Sequence, residues 1–437
     1  MACASACGLA ACDSDESGAQ GTGGGLSGGG SAGVATTGGA GTVGGGSTVG
    51  GAGTVGGAGT VGGAGTVGGA SAVGGNGAGA NTGGSSAQAG SAQGGVAGMV
   101  GGGSGSGGAM AGAGGIATAG SGGAGPTGMV PFPSTAPFYQ DVSKAAVDAE
   151  SGAIMKALDT IGWGDAGNRT QLGIDFSFNI NLAATGLAPR AFTKAAGFYS
   201  PDCDTAPVPL PPGGKGEGVD NYTCGGGDDC HLFVYQSTRL YELYQSNITG
   251  GMATGGTFTA KCLVVWDLTK DYWVAKAPPN FSRGDGCTGA DAAGLPMTPL
   301  VLTKADIASG TVKHALRFTI DNNRIAEGVY VRPATHAGGP TGGSNMMPYG
   351  AKLRLRADYP LAGLPNANAR IVAKALQTYG MYMADGGNIY ISATLDAADL
   401  INNSILTALK PSDFEMLDGG ARIDANAQDC KHVPVTQ

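Results

Sequence analysis

Asp229 and His231 are the side chains whose spacing best fits acid–base chemistry. They flank Cys230 at the start of HLFVY, an apolar run that is typical of a strand. Because side chains alternate along a strand, both should point to the same face. A carboxylate that orients an imidazole is an arrangement for general-base catalysis. The alternative is a solvated aspartate and an ordinary hydrogen-bonded histidine at the beginning of a strand.

Glu242 is a second candidate catalytic residue. It lies in LYELY, on the same predicted strand face as Leu240 and Tyr244. A carboxylate among apolar rings can keep its proton to a higher pH and act as an acid, as in glycoside hydrolases. Asp267, which closes VVWDL, is its candidate partner, and Tyr241 is a candidate ligand-binding aromatic beside it. An edge glutamate paired with an arginine is the alternative interpretation of Glu242.

Two further histidines are candidates for different reasons. His314 in VKHALRF shares a predicted face with apolar side chains, which indicates a buried histidine. Arg332 and His336 bracket a proline at a predicted strand end, where loops often build sites. We therefore take His336 as a catalytic candidate and Arg332 as a ligand-binding candidate. A metal-dependent hydrolysis would require His231, His314 and His336 to converge, but no metal or other cofactor is predicted.

A basic row is predicted on one strand. Lys352, Arg354 and Arg356 alternate in KLRLRA, so all three should lie on one face. Such a row can bind a carboxylated or sulfated polymer through charge-assisted hydrogen bonds, or it can be an ordinary face in water. Tyr390 in GNIYIS is a candidate ligand-binding aromatic on the rim of a site. Asp385 in MADGGN is interpreted first as a turn residue.

Composition separates the front of the chain from the rest. No charged residue lies between Ser17 and Gln140, and glycine dominates this region. Such a segment has few large apolar side chains to offset the entropy of ordering glycine, which predicts disorder. The chain has 24 basic and 32 acidic residues and no basic tract, which disfavours nucleic acid. Beyond residue 130 there is no P-loop motif and no regular βαβ alternation, so no nucleotide is predicted.

The first twelve residues end in LAAC, an aliphatic residue and two small ones before Cys12. This order resembles the lipobox of bacterial lipoproteins, in which the cysteine is lipidated. The resemblance implies export and a membrane anchor at Cys12. A signal peptide has basic residues and a longer apolar core, so we expect the true start codon to lie upstream. A chance match in an alanine-rich segment is the alternative.

Three regions follow from these patterns. Residues 1–12 are predicted to be the remnant of a lipoprotein signal peptide, and residues 13–130 a disordered tether rich in Gly, Ala, Ser, Thr and Val. The tether contains a hexapeptide repeat, VGGAGT. Such repeats can build a β-solenoid, but one valine per repeat among glycines would bury too little. Residues 131–437 are predicted to form a single globular domain.

Alternating apolar and polar residues predict strands over much of 131–437. The runs are QLGIDFSFNINL, the hairpin HLFVYQSTRLYELYQ, GTFTAKCLVVWDL, VKHALRFTI, GVYVRP, AKLRLRAD and GNIYISATL. Helical spacing predicts helices over 141–161, 370–383 and 397–410. The pattern favours a mainly β fold, an antiparallel β-sandwich or jelly roll with two or three helices.

The predicted domain carries six cysteines at irregular spacing, without CxxC pairs or a zinc pattern. They are Cys203, Cys224, Cys230, Cys262, Cys287 and Cys430. In an exported protein an even number indicates up to three disulfides, for which fifteen connectivities are possible. Scattered buried thiols in a cytosolic domain are the alternative.

Several motifs in residues 227–418 resemble a family of secreted proteins from actinobacteria and myxobacteria. They include CHLFVYQSTRLYELY, GADAAGLP, HALRF, YVRPATH and SDFE. The family has no assigned activity, so the resemblance implies export and a β-rich fold but no reaction. Ile389 stands where the family has an aromatic beside Tyr390, so the rim of a site is expected to differ.

Export, a β-rich fold and aromatics beside carboxylates favour a lipoprotein of the cell envelope, periplasmic or surface-exposed, whose domain engages glycans by binding or cleaving them. If the domain is an enzyme, it is expected to be a carbohydrate-active hydrolase or lyase. The expected partners are the membrane, through the lipid, and a polysaccharide. The alternative is a non-catalytic envelope protein with a structural or protein-binding role.

Lipidation at Cys12 predicts that Cys12→Ser, expressed behind a lipoprotein signal sequence, moves from the membrane fraction to the soluble fraction. The mature N-terminal peptide should carry fatty acyl chains in the unmodified protein and none in the variant, as measured by mass spectrometry. Cys7→Ser is the matched control and should remain lipidated. A bare Cys12 thiol in the mature protein would contradict the prediction.

Overall fold

The computed structural model describes residues 129–164, 169–224, 229–252, 255–274 and 281–436. The predictions for Cys12 and for nearly the whole 13–130 segment lie outside these residues. Within them, no helix combines the length and apolar character of a membrane span.

Short strands dominate the described part of the chain, which contains eighteen strands and three α-helices. The strands are β1 (Gly173–Phe178), β2 (Ile180–Leu182), β3 (Thr193–Lys194), β4 (Lys215–Gly216), β5 (Val219–Asp220), β6 (Leu232–Gln236), β7 (Arg239–Tyr244), β8 (Asn247–Thr249), β9 (Thr257–Ala260), β10 (Cys262–Asp267), β11 (Leu316–Ile320), β12 (Ile325–Tyr330), β13 (Met347–Tyr349), β14 (Lys352–Leu355), β15 (Met381–Gly386), β16 (Tyr390–Thr394), β17 (Phe414–Met416) and β18 (Ile423–Asp424). The helices are α1 (Ser151–Ile161), α2 (Lys304–Ala308) and α3 (Ala367–Thr378). The prediction of a mainly β fold with two or three helices is confirmed.

Two larger sheets organise the domain. The first has the strand order β1-β16-β11-β15-β14-β17, and the second has the order β10-β7-β6-β2. The predicted hairpin β6–β7 is antiparallel, but β1 pairs with β16, β11 with β15 and β2 with β6 in parallel. The strand directions are therefore mixed, because partners far apart in sequence are joined by long crossovers instead of tight turns.

The two larger sheets share one apolar core. Phe178 of β1 stacks on Phe233 of β6 with ring centroids 5.5 Å apart, and both side chains are buried. Alternation along β7 turns Leu240 and Tyr244 into this core and turns Tyr241 and Leu243 into a second core, formed with β8 and β9. Both faces of the second sheet are thus covered.

The first predicted helix is shorter than expected, because α1 begins at Ser151 and not at residue 141. The backbone before it makes tertiary hydrogen bonds. The N–H of Val142 donates to the carbonyl of Thr378 at 2.7 Å, and that of Asp148 donates to the carbonyl of Met416 at 2.9 Å. These partners outcompete the local helical bonds.

The prediction of a helix over 397–410 is wrong. This segment contains a 3-10 turn that ends at Asp399, followed by irregular turns. The side chain of Asn402 accepts a hydrogen bond from the backbone N–H of Ser404 at 3.0 Å, a local bond that competes with helix formation. The apolar spacing that suggested a helix still buries Ile405 and Leu409.

Three disulfides bridge the domain, as the cysteine count predicted. They join Cys203 to Cys262, Cys224 to Cys230, and Cys287 to Cys430. The first ties the segment before β4 to β10, and the third ties the C-terminal tail to the loop that precedes α2. Such cross-links restrict the unfolded chain more than the folded one.

The predicted basic row is not a binding surface. Arg354 is 7% exposed, pairs with Glu415 at 2.6 Å, and donates to the carbonyls of Val142 and Ala145. Lys352 is buried as well, and only Arg356 reaches solvent, beside Asp358. The row fails as a polyanion site because the N-terminal segment of the domain covers it.

We predict that Arg354→Ala lowers the free energy of unfolding by about 2–4 kcal/mol, because it leaves a carboxylate and two backbone carbonyls without their donor. Arg356→Ala, from the same row, is the matched control and should change it by less than about 0.5 kcal/mol. Urea unfolding followed by circular dichroism measures both. Equal changes in the free energy of unfolding for the two variants would show that Arg354 does not anchor the segment before α1.

Candidate functional site

A buried arginine lies at the centre of the larger sheet. Arg317 of β11 is 3% exposed, and its guanidinium is held by three side chains. Nε lies 2.7 Å from Asp291 Oδ1, Nη1 donates to Ser392 Oγ at 2.9 Å, and Nη2 lies 3.1 Å from Asp385 Oδ2. Alternation in HALRFTI puts Leu316 on the other side of the strand. The arginine thus gathers groups from β15, β16 and the loop before α2.

A buried histidine faces this arginine from the second sheet. His231, just before β6, places Nδ1 2.6 Å from Glu217 Oε2 and Nε2 3.0 Å from the carbonyl oxygen of Ala290. Both ring nitrogens therefore face acceptors, which favours the doubly protonated imidazolium. Glu217 also accepts the backbone N–H of His231 at 2.8 Å.

Partly buried carboxyl groups form the outer edge of the same cluster. Ser177 lies within hydrogen-bond distance of both Asp175 and Glu217, at 2.8 and 3.1 Å. Asp229 lies close enough to His231 and Glu217 for their charges to act on its pKa. We call the whole cluster the acidic site, and its members are Asp175, Glu217, Asp229, His231, Asp291, Arg317 and Asp385.

The histidine and its glutamate have strongly shifted pKa values. Burial alone would lower the pKa of His231, but the charge and hydrogen bonds of Glu217 outweigh burial and raise it to about 9. Burial alone would raise the pKa of Glu217, but His231 outweighs it and lowers the pKa to about 2. Glu217 therefore remains ionised throughout the physiological range.

The other carboxyl groups are shifted in the opposite direction. Burial raises the pKa of Asp385 to about 8, since the attraction of Arg317 only partly opposes burial and nearby Asp291 adds repulsion. Burial likewise raises the pKa values of Asp291, Asp229 and Asp175. One permanently ionised carboxylate thus lies among acids that retain protons to a higher pH, which is the arrangement that acid–base catalysis requires.

A groove lies between the β1–β2 segment and α2. Its volume is about 890 Å³, and its walls include Asn179, Lys215, Lys304 and Asp399. Phe178 lines the groove and lies 5.8 Å from the His231 ring, measured between centroids. Phe178 is thus the link between the groove and His231, whereas the members of the acidic site do not themselves line the groove.

The carboxylate that orients His231 is Glu217 and not the predicted Asp229, which is near enough only for its charge to act on the imidazole. The structure also separates Glu242 from Asp267. Glu242 is 1% exposed and accepts hydrogen bonds from Trp266 Nε1, the N–H of Thr298 and the hydroxyl of Thr298. Burial does raise its pKa, but the fully bonded carboxylate is not accessible to a substrate. Asp267 pairs in register with Arg239, on the opposite sheet face, so the two cannot act as a pair.

The three histidines do not form a metal centre. His314 bonds to Asp306 at 3.3 Å, and His336 bonds through Nδ1 to the carbonyl of Ala292 at 2.9 Å. Burial lowers the pKa of His336, so a neutral imidazole is favoured. His336 shares the 290–293 loop with His231 but contacts a different carbonyl, so it supports this loop outside the acidic site.

The remaining ligand-binding candidates lie apart from the acidic site. Arg332 pairs with buried Asp285 and stacks 4.1 Å from the centre of the Phe281 ring. Tyr241 is 5% exposed, inside the second core. Tyr390 is half-buried beneath the guanidinium of Arg169. These side chains hold the structure together and do not line the groove.

The sequence analysis missed several charged residues whose neighbours in the sequence are apolar or small. Arg317 interrupts HALRFTI, and Asp291 lies between small residues in GADAAGLP. Asp385, interpreted as a turn residue, is a buried residue of β15. A charged residue at an inward strand position is the signal that could have revealed Arg317.

No protein-family model, no curated protein and no solved structure matches the chain. The resemblance to the secreted family therefore stays a prediction, and the function rests on the geometry of the acidic site.

The raised pKa of Asp385 predicts a pH-dependent stability. In the folded protein Asp385 keeps a proton that the unfolded chain loses near pH 4. The stability that this retained proton contributes is therefore fully present below about pH 4 and is lost as the pH rises through about 8. Asp385→Asn removes this linked proton. The decrease in melting temperature between about pH 5 and about pH 8 should therefore be smaller in the variant than in the wild type.

Asp358→Asn is the control for this comparison, because Asp358 is an exposed carboxylate. It should reproduce the wild-type pH profile by differential scanning calorimetry. Parallel profiles for Asp385→Asn and the wild type would rule out a retained proton at Asp385.

Proposed function

We propose that the domain acts on glycans, which bind along the groove and are cleaved at the acidic site by acid–base catalysis. The observation that carries the proposal is the opposite shift of neighbouring carboxyl groups in a cluster that Phe178 links to the groove: Glu217 is ionised, whereas Asp229 retains its proton to a higher pH. Glycoside hydrolysis uses such a pair, one acid and one carboxylate.

The raised pKa of Asp229, a partly buried carboxyl group, suits a proton donor to the leaving-group oxygen. Glu217 suits the carboxylate that stabilises positive charge on the sugar ring, and its contact with Ser177 and His231 fixes its orientation. Asp385 and Asp291 lie beneath and have no access to a polymer. Their role is to hold Arg317 in place.

The proposal narrows the class of glycan. Lys352 and Arg354 of the basic row are buried and offer no surface for a carboxylated or sulfated polymer. A neutral glycan therefore replaces the polyanion that the row suggested.

Three disulfides support export, since such bonds persist in oxidising compartments. With the lipobox at Cys12, they support a domain anchored at the cell envelope by a lipid and a glycine-rich tether. A tether of this length would span about 60 Å as a random coil, enough to present the groove to polysaccharide away from the membrane.

The test is the release of reducing ends from a panel of polysaccharides. Asp229→Asn and Glu217→Gln should each lower kcat at least about 100-fold, because each removes one half of the acid–base pair. Asp267→Asn is the matched control, since its carboxylate lies on the opposite sheet face, and it should retain wild-type kcat.

Circular dichroism must show that each variant is folded. If folded wild-type protein neither binds nor cleaves any glycan of the panel, and the Asp229 variant differs only in melting temperature, the domain is the non-catalytic envelope protein of the alternative interpretation.

A further inference from the structure

A small cavity lies beside α2, and no member of the acidic site lines it. Its volume is about 50 Å³, several times the roughly 10–15 Å³ that one water molecule requires. Thr303, the N-cap of α2, lies in the wall of both this cavity and the groove. The cavity can therefore take a group of a few non-hydrogen atoms next to the groove. Apolar side chains form much of its wall, namely Val130, Pro131, Pro299 and Val301.

Two tyrosines in the wall supply hydrogen-bond donors. Tyr235 of β6 is 5% exposed, and within the described residues its hydroxyl makes no hydrogen bond. Burial raises the pKa of Tyr235, and Tyr139 is close enough to raise it further. The Tyr139 oxygen accepts the N–H of Phe132, and burial raises its pKa as well, so both phenols stay protonated. Since buried polar atoms are usually satisfied, the Tyr235 hydroxyl indicates a ligand with an acceptor atom.

The charged groups of the wall balance each other. Burial alone would lower the pKa of His314, but Asp306 outweighs burial and raises it. Burial alone would raise the pKa of Asp306, but His314 outweighs burial and lowers it. A cation and an anion therefore lie side by side, with His314 Nε2 3.3 Å from Asp306 Oδ2. The cavity as a whole is suited to an uncharged group.

Asp306 also offers an acceptor to a ligand. Its Oδ2 accepts the N–H of Thr303 at 2.9 Å and the hydroxyl of Thr303 at 2.5 Å, in addition to His314. Within the described residues, its Oδ1 makes no hydrogen bond. The cavity thus combines phenol donors, a carboxylate acceptor and apolar walls.

An acetamido group matches this combination. Its carbonyl oxygen accepts hydrogen bonds, its N–H donates one and its methyl group is apolar. A carboxylate ligand would be repelled by Asp306, because His314 is already paired. An ammonium group would lose its hydration among the apolar walls.

We infer that the cavity binds the acetamido group of an N-acetylated amino sugar, with the hydroxyls of Tyr139 and Tyr235 donating to the carbonyl oxygen and Asp306 accepting the N–H. This inference rests on the proposed function, since it names the substrate class of the neighbouring groove. Thr303, which both walls share, marks where a sugar in the groove presents this group.

The experiment compares N-acetylglucosamine and glucose oligomers of equal length and linkage by isothermal titration calorimetry. The wild type should bind the N-acetylated oligomer at least about tenfold more tightly, because the cavity adds hydrogen bonds and buries a methyl group. Tyr235→Phe should weaken this binding about three- to tenfold, the loss of one hydrogen bond, and should leave the affinity for the glucose oligomer unchanged. Tyr379→Phe, at the C-terminal end of α3, is the matched control and should keep the preference.

The melting temperature separates ligand binding from a structural role. The Tyr235 hydroxyl has no partner in the fold, so Tyr235→Phe should not lower the melting temperature. Val130→Trp is a second variant, in which a larger side chain at a surface position fills the cavity. It should abolish the preference, whereas Val433→Trp, at an exposed position of the tail, should keep it.

Equal affinity of the wild type for both oligomers would overturn the inference. So would a preference that survives in both folded variants, Tyr235→Phe and Val130→Trp.

Failure of the inference and failure of the proposed function give different results. Cleavage of glucose polymers without any preference for the N-acetyl group rejects the inference and keeps the function. An acetyl-lysine peptide carries the same acetamido group. If it binds, if Tyr235→Phe weakens its binding and if no glycan binds, the acetamido site is supported and the glycan function is rejected.

Discussion

The ionic contacts of Arg317 are the interaction on which the rest of the domain depends. A guanidinium in the middle of a sheet can be buried only if its N–H donors have acceptors. Asp291, Ser392 and Asp385 supply these acceptors. These partners come from a long loop and two strands. Placing the charge therefore fixes how β11, β15 and β16 lie next to one another and where the 290–293 loop crosses them.

The same contacts produce the chemistry. Asp291 and Asp385 are both buried beside one arginine. Because burial penalises their charged forms more than Arg317 stabilises them, their pKa values are raised. On the other side, His231 and Glu217 satisfy each other and remain charged. A structural requirement thus creates two populations of carboxyl groups with opposite pKa shifts within one cluster.

Further buried charges fasten the periphery of the domain. Arg354 binds the segment before α1 against the far edge of the larger sheet. At the opposite end, Asp204 binds Arg283 and His432 and holds the C-terminal tail, which Cys430 also tethers covalently. Side chains that the sequence offered as ligands, such as Arg354 and Glu242, are used to fasten segments together.

The sequence by itself determined the local structure and the cross-linking. Period-two alternation identified the hairpin β6–β7 and placed Leu240, Glu242 and Tyr244 on one face, because side-chain direction along a strand depends only on neighbouring residues. The even cysteine count indicated three disulfides but not their pairing. Spacing also suggested a strand face shared by Asp229 and His231, but both residues precede β6, and the carboxylate that binds the imidazole is Glu217.

Only the tertiary structure decided which charges meet. Glu217, Asp291, Arg317 and Asp385 are far apart in sequence, and no local pattern states that β11 lies between β15 and β16 or that a loop covers them. Burial depends on what packs over a residue. Lys352 and Arg354 alternate as side chains of a solvent-exposed row would, but the segment before α1 packs over them and buries them. The acidic site therefore depends on which strands are neighbours in the sheet, whereas each strand follows from its local sequence.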